Sequence, residues 1–360
     1  MAVTMPSIDI IFKQLAASLI ARSERGYAIL IIRDDTDVSF NYKQYSLLTD
    51  VDETDYSAIN YDYIKDIFTF APFKVCIVRI NTTTDTLANA LTILSGNVKA
   101  GWITIADGTT EDFATLASWT KSMEGLRKYY KAVCYKAATT DCKHIVNLYN
   151  DTITFNDDRG KVTGEKYCPS LIGILAACNI KRAVTSYACS NLSKVEEVAD
   201  NNDAVGKGRF ILINDVDVVK IGLGINSMTT TNGTTATEDM KYIDIVEAMD
   251  LIYDDIYSAF KEYQGSYKNK YDNQILLISA INGYLKSIAK EDVLDDEYNN
   301  IVDIDIESQR DAWLATGKTE AKEWNNAKVR IMTFKRTVFL YGDVKILGAM
   351  ENLKLVINME

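Results

Sequence analysis

Two stretches of sequence decide the fold: YAILII at residues 27–32 and FKVCIVRI at residues 73–80. Both are short, continuous apolar runs rich in β-branched residues, which is typical of strands buried on both faces of a sheet. Residues 56–68, which lie between them, have the apolar spacing of a helix. Two strands joined by a helix form the unit of parallel sheets, so this region predicts an α/β fold.

The alternation of strands and helices continues along the chain. The predicted helices lie at 85–94, at 111–128, from Asp141 onward, at 168–179 and at 192–199, and the predicted strands lie at 102–106, 132–135 and 153–155. Two further strand runs at 209–213 and 216–221 flank Asn214-Asp215, a pair typical of a hairpin turn. This part of the chain therefore favours a mainly parallel sheet that helices cover on both faces.

The pattern changes after a polar connector at 227–238. A stripe of apolar and aromatic side chains at spacings of three and four predicts a long helix. Its members are Tyr242, Val246, Met249, Tyr253, Ile256 and Phe260. A second helix is predicted around 278–288, a third at 308–324 with an interruption at Gly317, and strands at 328–341 and 353–359.

Composition limits the classes of partner. The chain has 360 residues, of which 47% are hydrophobic and 25% charged, so it can bury a substantial core. A net charge of −11 provides no basic footprint for nucleic acid or for an anionic membrane surface. We find neither the ~20 apolar residues of a membrane span nor a signal peptide, so the protein is expected in the cytoplasm.

Residues that carry chemistry are scattered along the sequence. The cysteines form no CxxC pair and are expected to be small buried hydrophobes: Cys76, Cys134, Cys142, Cys168, Cys178 and Cys189. Because His144 is the only histidine, no metal site and no cofactor are expected. Residues 315–319 resemble the end of a phosphate loop, but Ala312 stands where its first glycine is required.

A catalytic role for His144 is not expected either. Asp141 precedes it by three residues, yet the sequence has no Gly-x-Ser-x-Gly elbow to supply a nucleophile. A lone histidine is more often a surface or packing residue than a catalyst. The protein is therefore predicted not to be an enzyme.

Both ends of the sequence carry an alternating strand. The apolar faces of these strands consist of Ile8, Ile10 and Phe12 at one end and of Leu353, Leu355 and Ile357 at the other. An unpaired apolar strand joins a sheet, either in its own subunit or in a neighbour. Donation to a neighbour is a heterologous contact, which builds rings or helical lattices. Periodicity alone leaves both interpretations open.

Four short segments near the two ends form a recognisable set. They are MPSIDIIFK at 5–13, ARSERG at 21–26, WNN at 324–326 and AMENL at 349–353. Together they resemble contractile phage tail sheath proteins, most closely the short sheaths of Gram-positive phages and phage-tail-like bacteriocins. Asn352 stands where this family usually has an acidic residue, which is a small departure.

The resemblance implies a mixed α/β (α+β) fold with a protease-like α/β sheath domain that lacks protease activity. It implies an amino-terminal arm and connector at 1–26 and the sheath domain at 27–225, whose early part can contribute to an inner domain. The carboxy-terminal inner α+β domain is expected at 226–342 and a carboxy-terminal arm at 343–360. In the family such arms extend into neighbouring subunits.

The resemblance also implies the function. Sheath subunits polymerise as stacked hexameric rings around an inner tube, and the lattice contracts to drive the tube through a target cell envelope. The implied partners are neighbouring sheath subunits, the inner tube protein, and baseplate and tail terminator proteins. The protein would assemble in the bacterial host cytoplasm and then form part of a virion or phage-tail-like particle.

The surface that contacts the tube is expected on a helix, because family members contact the tube through a helix and largely by charge. Lys318 and Lys322 are the candidates, since they lie at i and i+4 of the helix predicted at 308–324. The alternative is that both are ordinary solvated lysines.

Two functions from other classes are the alternatives. An α/β hydrolase would need a pocket in which His144 meets a nucleophile and an acid. The second is another phage structural protein, such as a baseplate or tube component. Tube proteins are usually shorter and rich in strands, so the long helices predicted within 241–290 argue against a tube component.

Overall fold

The computed structural model describes residues 20, 25–178, 180 and 182–359. The described residues form two compact units. The first unit consists of Glu24–Leu251 and Gly348–Glu360, and the second unit contains Ile252–Leu347.

Strands and α-helices both occur throughout the described residues. The strands are β1 (Tyr27–Arg33), β2 (Tyr42–Tyr45), β3 (Lys74–Ile80), β4 (Gly101–Ile105), β5 (Tyr130–Tyr135), β6 (Ile145–Leu148), β7 (Thr152–Phe155), β8 (Lys161–Thr163), β9 (Leu192–Val195), β10 (Leu212–Asp215), β11 (Val218–Ile221), β12 (Ile301–Ile304) and β13 (Leu340–Asp343). The helices are α1 (Ala58–Phe68), α2 (Leu87–Asn97), α3 (Thr110–Gly125), α4 (Cys168–Cys178), α5 (Asn201–Gly206), α6 (Ile243–Tyr263), α7 (Tyr271–Ala289), α8 (Ile306–Ala315) and α9 (Asn326–Ile331). The mixed α/β fold class is confirmed.

A six-stranded sheet forms the centre of the first unit, with strand order β2-β3-β1-β4-β5-β6. Each neighbouring pair is parallel except β2 with β3. β1 lies inside the sheet, where Leu30 pairs with Ile77 of β3 and with Thr104 of β4. The side chains of residues 28–32 are completely buried, as the apolar run at this position predicted.

Connectivity places helices on both faces of this sheet. The chain passes from β1 through α1 to β3 on one side of β1, and then from β3 through α2 to β4 on the other side. Because such crossovers are right-handed, this reversal of direction puts α1 and α2 on opposite faces. α3 contacts α2, and α4 contacts α1, so each face carries a pair of helices.

Two smaller sheets complete the first unit, with strand orders β8-β7-β9 and β10-β11. The predicted hairpin is confirmed, because β10 and β11 pair in antiparallel fashion. Its turn is Val216-Asp217 and not the predicted Asn214-Asp215, which belongs to β10. Val216 has a φ of +55°, and a positive φ at the first central residue is typical of two-residue hairpin turns.

Two helix predictions in the first unit are wrong. Residues 192–199 contain β9, which pairs with β7, and the segment that begins at Asp141 leads into β6, which pairs with β5. Both segments are short, and an isolated short helix is unstable. Pairing with the edge of an existing strand satisfies their backbone groups instead.

The second unit contains the end of α6, followed by α7, β12, α8, α9 and β13. The two long helices predicted in this region are confirmed as α6 and α7. β12 and β13 form an antiparallel pair. A small core surrounds Ala321, Trp324 and Val329, against which Trp313 packs.

The strand predicted at 328–341 is wrong over most of its length. Residues Asn326–Ile331 form α9, and the strand β13 begins only at Leu340. The Asn325 side chain accepts a hydrogen bond from the backbone N–H of Lys328, and this amino-terminal cap favours the helix.

The two units divide between residues 251 and 252, inside α6. The domain limits derived from the sequence, at 26, 225 and 342, stay a prediction. None of the helices in the described part of the chain combines the length and the apolar character that a membrane span requires.

Gly173 lies where α4 crosses α1, and it generates a test of this packing. A Cβ atom added at Gly173 would lie 2.7 Å from the carbonyl oxygen of Ile67 and 3.0 Å from its Cα. Because backbone atoms cannot rotate away, we expect Gly173→Ala to lower the free energy of unfolding by about 1–3 kcal/mol in urea denaturation.

Gly96→Ala in α2 is the matched control, since a Cβ added there meets nothing within 4 Å. Alanine is the better helix former, so this variant should be neutral or stabilised by up to about 1 kcal/mol. Equal unfolding free energies for the two variants would contradict the close crossing of α1 and α4.

Candidate functional site

The carboxy-terminal segment exposes a set of apolar side chains. Residues 352–359 are all exposed and form no helix or strand. The strand predicted at 353–359 is therefore not formed within the single subunit. Its predicted apolar face is open to solvent, because Leu353, Leu355 and Ile357 are 89%, 67% and 73% exposed. An apolar run left open to water indicates a surface that another molecule covers.

Two hydrogen bonds attach the chain to the first unit just before this exposed run. The hydroxyl of Thr185 donates to Glu351 at 2.5 Å, and the backbone N–H of Ala349 donates to Asp244 at 3.0 Å. The tail, which we define as residues 352–359, therefore follows directly on an anchored position. Its pairing with a neighbouring subunit stays a prediction.

The other predicted arm residues, Ile8, Ile10 and Phe12, lie outside the described residues. The amino-terminal arm therefore stays a prediction as well.

Lys318 and Lys322 do not lie on one continuous helix. α8 ends at Ala315, Gly317 has a φ of +85°, and Lys318 precedes a separate 3-10 turn at Thr319–Glu323 that contains Lys322. The assumption of i, i+4 spacing on one helix face was therefore wrong, because glycine in the left-handed region ends the helix. The predicted role of these lysines toward a tube is a separate matter and stays a prediction.

The two lysines also differ in their surroundings. The ammonium group of Lys318 lies 3.1 Å from Glu320 and 5.8 Å from the ring centres of both Trp313 and Trp324. Lys322 is exposed. Lys322 is therefore the more accessible positive charge, while Lys318 partly covers the aromatic rings beside it.

A buried group of charged side chains lies against the amino-terminal half of α6. Lys131 of β5 places its ammonium 2.8 Å from Glu247 Oε1 and 3.3 Å from Asp250 Oδ2. The Trp102 indole N–H donates to Glu247 at 2.9 Å, and Arg25 lies 3.7 Å from the second Glu247 oxygen. Because an unpaired buried charge is costly, these groups hold α6 against β4 and β5 as a set.

His144 belongs to the same buried group. Its Nε2 lies 3.0 Å from Asp250 Oδ1, and its Nδ1 lies 3.2 Å from Glu124 Oε2. The Cys142 thiol donates to the same Glu124 oxygen at 3.0 Å, and the Tyr129 ring stacks on the imidazole with 5.1 Å between centroids. His144 was expected to be a surface or a packing residue. The structure shows a packing residue, because the ring is fully buried.

The charges in this cluster shift each other's protonation. Burial alone would lower the pKa of His144, but the negative charge of Asp250 outweighs it and raises that pKa well above its ordinary value. Burial would raise the pKa of Glu124, but the neighbouring His144 and Cys142 lower it to about 2. Burial raises the pKa of the Cys142 thiol. In the absence of other ligands the cluster therefore holds an imidazolium between two carboxylates, next to a neutral thiol.

Sequence reasoning missed this cluster. Glu247 and Asp250 stand beside Val246 and Met249, on or next to the apolar stripe of the predicted helix. Two carboxylates on the side of a helix that faces a core indicate buried partners. The partner Lys131 is more than a hundred positions away in the sequence, so the pairing could not be read from local spacing.

Comparison with known proteins shows which proteins this chain is similar to. Residues 235–360 match the family described as the phage tail sheath C-terminal domain. The tail sheath protein of Clostridium phage phiCD119 is 26% identical over 366 residues, which cover 98% of this chain and 99% of the relative. The resemblance to contractile tail sheath proteins is confirmed.

Solved structures of sheath proteins share the fold. The sheath tail protein of Desulfitobacterium hafniense matches with a TM-score of 0.67 at 13% identity, covering 83% of this chain and 94% of that one. The helical sheath of the anti-feeding prophage in its contracted state matches with a TM-score of 0.69 at 12% identity and covers 100% of both chains. The matched residues 235–360 include Lys318, Lys322 and the exposed tail.

The buried charges generate a stability test. Asp250→Asn removes a negative charge that faces both Lys131 and His144, so two buried positive groups lose part of their compensation. We expect the free energy of unfolding of the first unit to fall by about 3–5 kcal/mol, measured by chemical denaturation.

Glu262→Gln, an exposed position near the end of the same helix, is the control and should change the unfolding free energy by less than about 0.5 kcal/mol. A loss of similar size in both variants would mean that the cluster does not stabilise α6.

Proposed function

We propose that this protein is the structural subunit of a contractile tail sheath, and that it polymerises as stacked hexameric rings around an inner tube. The observation that carries the proposal is the exposed apolar tail in a chain whose sequence and fold resemble sheath proteins. Leu353, Leu355 and Ile357 alternate along this tail with Lys354 and Val356, so a strand there would have one purely apolar side.

The chemistry of such a tail favours strand donation. Backbone groups that have no partner in their own sheet pair with the open edge of another sheet, and alternate side chains enter pockets that set the register. A tail that leaves one subunit and enters the next makes a heterologous contact, and repeated contacts of this kind generate rings or helical lattices. The amino-terminal strand with Ile8, Ile10 and Phe12 would act in the same way.

Contraction then requires no nucleotide hydrolysis or other reaction by the subunit. If the extended and contracted packings differ by about 1–2 kcal/mol per subunit, coupling across many subunits makes the change of the whole lattice effectively irreversible. Donated tails keep neighbours connected during the movement. The inner tube protein, and the baseplate and terminator proteins at the two ends, are the further partners in this proposal.

A structural role without enzymatic activity agrees with the cluster around His144. The imidazole does lie 3.0 Å from an acid and within 4.8 Å of a thiol, the types of partner that the hydrolase alternative requires. However, two carboxylates hold the ring protonated, so it is a poor general base. Burial raises the pKa of the Cys142 thiol, which is the opposite of an activated nucleophile.

Electron microscopy of the purified protein tests the assembly. We expect tubular polymers of the contracted form, because no inner tube is present to template the extended one. Deletion of residues 1–13, or replacement of Leu353, Leu355 and Ile357 by serine, should leave soluble subunits or single rings, since the donated strands lose their apolar face.

The control changes the opposite side of the same strand, with Lys354→Ser and Asn358→Ser, and should still form tubes. Intact tubes from both the deletion variant and the triple serine variant would contradict strand donation by the two terminal arms. A wild-type protein that stays monomeric at every concentration would reject the sheath function itself.

Charge reversal tests the proposed tube surface. Lys318→Glu combined with Lys322→Glu should weaken co-assembly with the cognate tube protein in a pull-down, while sheath tubes without an inner tube still form. Because surface charges contribute little to stability, the unfolding free energy should change by less than about 1 kcal/mol.

The variant with Lys268→Glu and Lys290→Glu, which changes two exposed lysines elsewhere in the second unit, provides the matched change in net charge. Tube co-assembly that is unchanged by the first pair, or weakened equally by both pairs, would remove Lys318 and Lys322 from the tube surface.

A further inference from the structure

Three different ligand groups converge at one end of the buried cluster in the first unit. Glu124 comes from the last turn of α3, and Cys142 and His144 come from the segment between β5 and β6. One carboxylate oxygen, the thiol sulfur and one imidazole nitrogen lie within 4.8 Å of one another. Glu124 Oε2 is 3.0 Å from Cys142 Sγ and 3.2 Å from His144 Nδ1.

These separations suit a shared metal ion. Zinc binds sulfur at about 2.3 Å and nitrogen or oxygen at about 2.0–2.2 Å, so neighbouring tetrahedral ligands lie roughly 3.3–3.6 Å apart. Glu124 Oε2 lies about 0.1–0.6 Å closer to its two partners than in such a site, a difference that rotation of the side chains can supply. His144 Nδ1 is buried and lies 3.2 Å from Glu124 Oε2 without a well-aligned hydrogen bond. A bound cation would displace the protons of the imidazolium and of the Cys142 thiol, and Nδ1 would then present a lone pair to the space between the three groups.

The groups behind the ligands are those that a metal-binding histidine needs. Asp250 lies 3.0 Å from Nε2 of His144, on the far side of the ring, where it can fix the tautomer that leaves Nδ1 free to bind. The backbone N–H of His144 lies 3.4 Å from Cys142 Sγ, which would stabilise a thiolate. The carboxylate and the thiolate together would neutralise the charge of a divalent cation.

The site is also accessible from solvent. A surface cavity of about 250 Å³ is lined by Glu124, Cys142, Lys143, Met228 and Met240, among others. Glu124 is only partly buried, whereas Cys142 and His144 are buried. An ion can therefore enter from the Glu124 side, and a water molecule from the cavity can supply the fourth position of a tetrahedron.

We propose that Glu124, Cys142 and His144 form a zinc site, with Asp250 as the positioning residue for the imidazole. The ligand set of sulfur, nitrogen and oxygen selects zinc or a similar borderline cation over magnesium or calcium, which prefer oxygen alone. The ion would join the end of α3 to the segment before β6. This role is independent of the sheath function, because it concerns the interior of one subunit.

Cobalt substitution and zinc titration of the full-length protein test the site. The protein is purified with a chelator, which is then removed. It is titrated with each metal ion in the presence of a reductant that keeps the thiols reduced and contains no metal. We expect stoichiometric binding of Co²⁺ with a thiolate-to-cobalt charge-transfer band, and displacement of cobalt by Zn²⁺. Cys142→Ser should abolish this band, and Asp250→Asn should weaken Zn²⁺ binding by about 10–100-fold.

Cys178→Ser and Glu111→Gln are the matched controls, a buried cysteine away from the three ligands and an exposed carboxylate in the first turn of α3. Both should retain the cobalt spectrum and the wild-type zinc affinity. Circular dichroism checks that each variant is folded. If Cys142→Ser does not fold, Glu124→Gln, which changes the most accessible ligand, provides a second test.

Three outcomes would overturn the proposal. The first is a folded wild-type protein that binds neither metal stoichiometrically, which would mean that the three groups are satisfied by hydrogen bonds alone. The second is a Cys142→Ser protein with the wild-type cobalt spectrum. The third is a loss of the spectrum in Cys178→Ser that equals the loss in Cys142→Ser.

Discussion

The contact between Lys131 of β5 and two carboxylates of α6 is the constraint on which the first unit depends. Glu247 and Asp250 lie 2.8 Å and 3.3 Å from the ammonium group, and all three side chains are buried. None of these charges is tolerable alone in the interior, so the helix and the sheet take up their positions together. His144 extends the same network to the end of α3 through Glu124.

The tail is the opposite case, because it leaves apolar surface uncovered. The central strand β1 buries residues 28–32 completely, whereas Leu353, Leu355 and Ile357 remain exposed. A single subunit therefore buries the apolar side chains of its core but not those of its carboxy-terminal tail. Under the proposed strand donation that difference is functional, because burying the tail against a neighbouring subunit would supply free energy for assembly.

Local pattern was a good guide wherever an element makes its own hydrogen bonds or lies inside the sheet. The apolar runs at 27–32 and 73–80 became β1 and β3, and the stripe that starts at Tyr242 became α6. It failed for short segments whose state is decided by a distant partner. Residues 192–199 became a strand because β7 offered an edge. The break at Gly317 is a local signal that the sequence already contained, and the error there was to place both lysines on one helix across it. Cys142 is buried as expected, but its thiol also donates a hydrogen bond to Glu124, which no local pattern indicated.

The sequence by itself determined the α/β class, the two long helices of the carboxy-terminal half, the alternation in the tail and the resemblance to sheath proteins. Those features depend on neighbours in the chain, where periodicity and composition act directly. Only the tertiary structure decided which charges meet. Lys131, His144 and Asp250 come from different elements, and burial makes their electrostatic interaction strong only after the chain has folded around them.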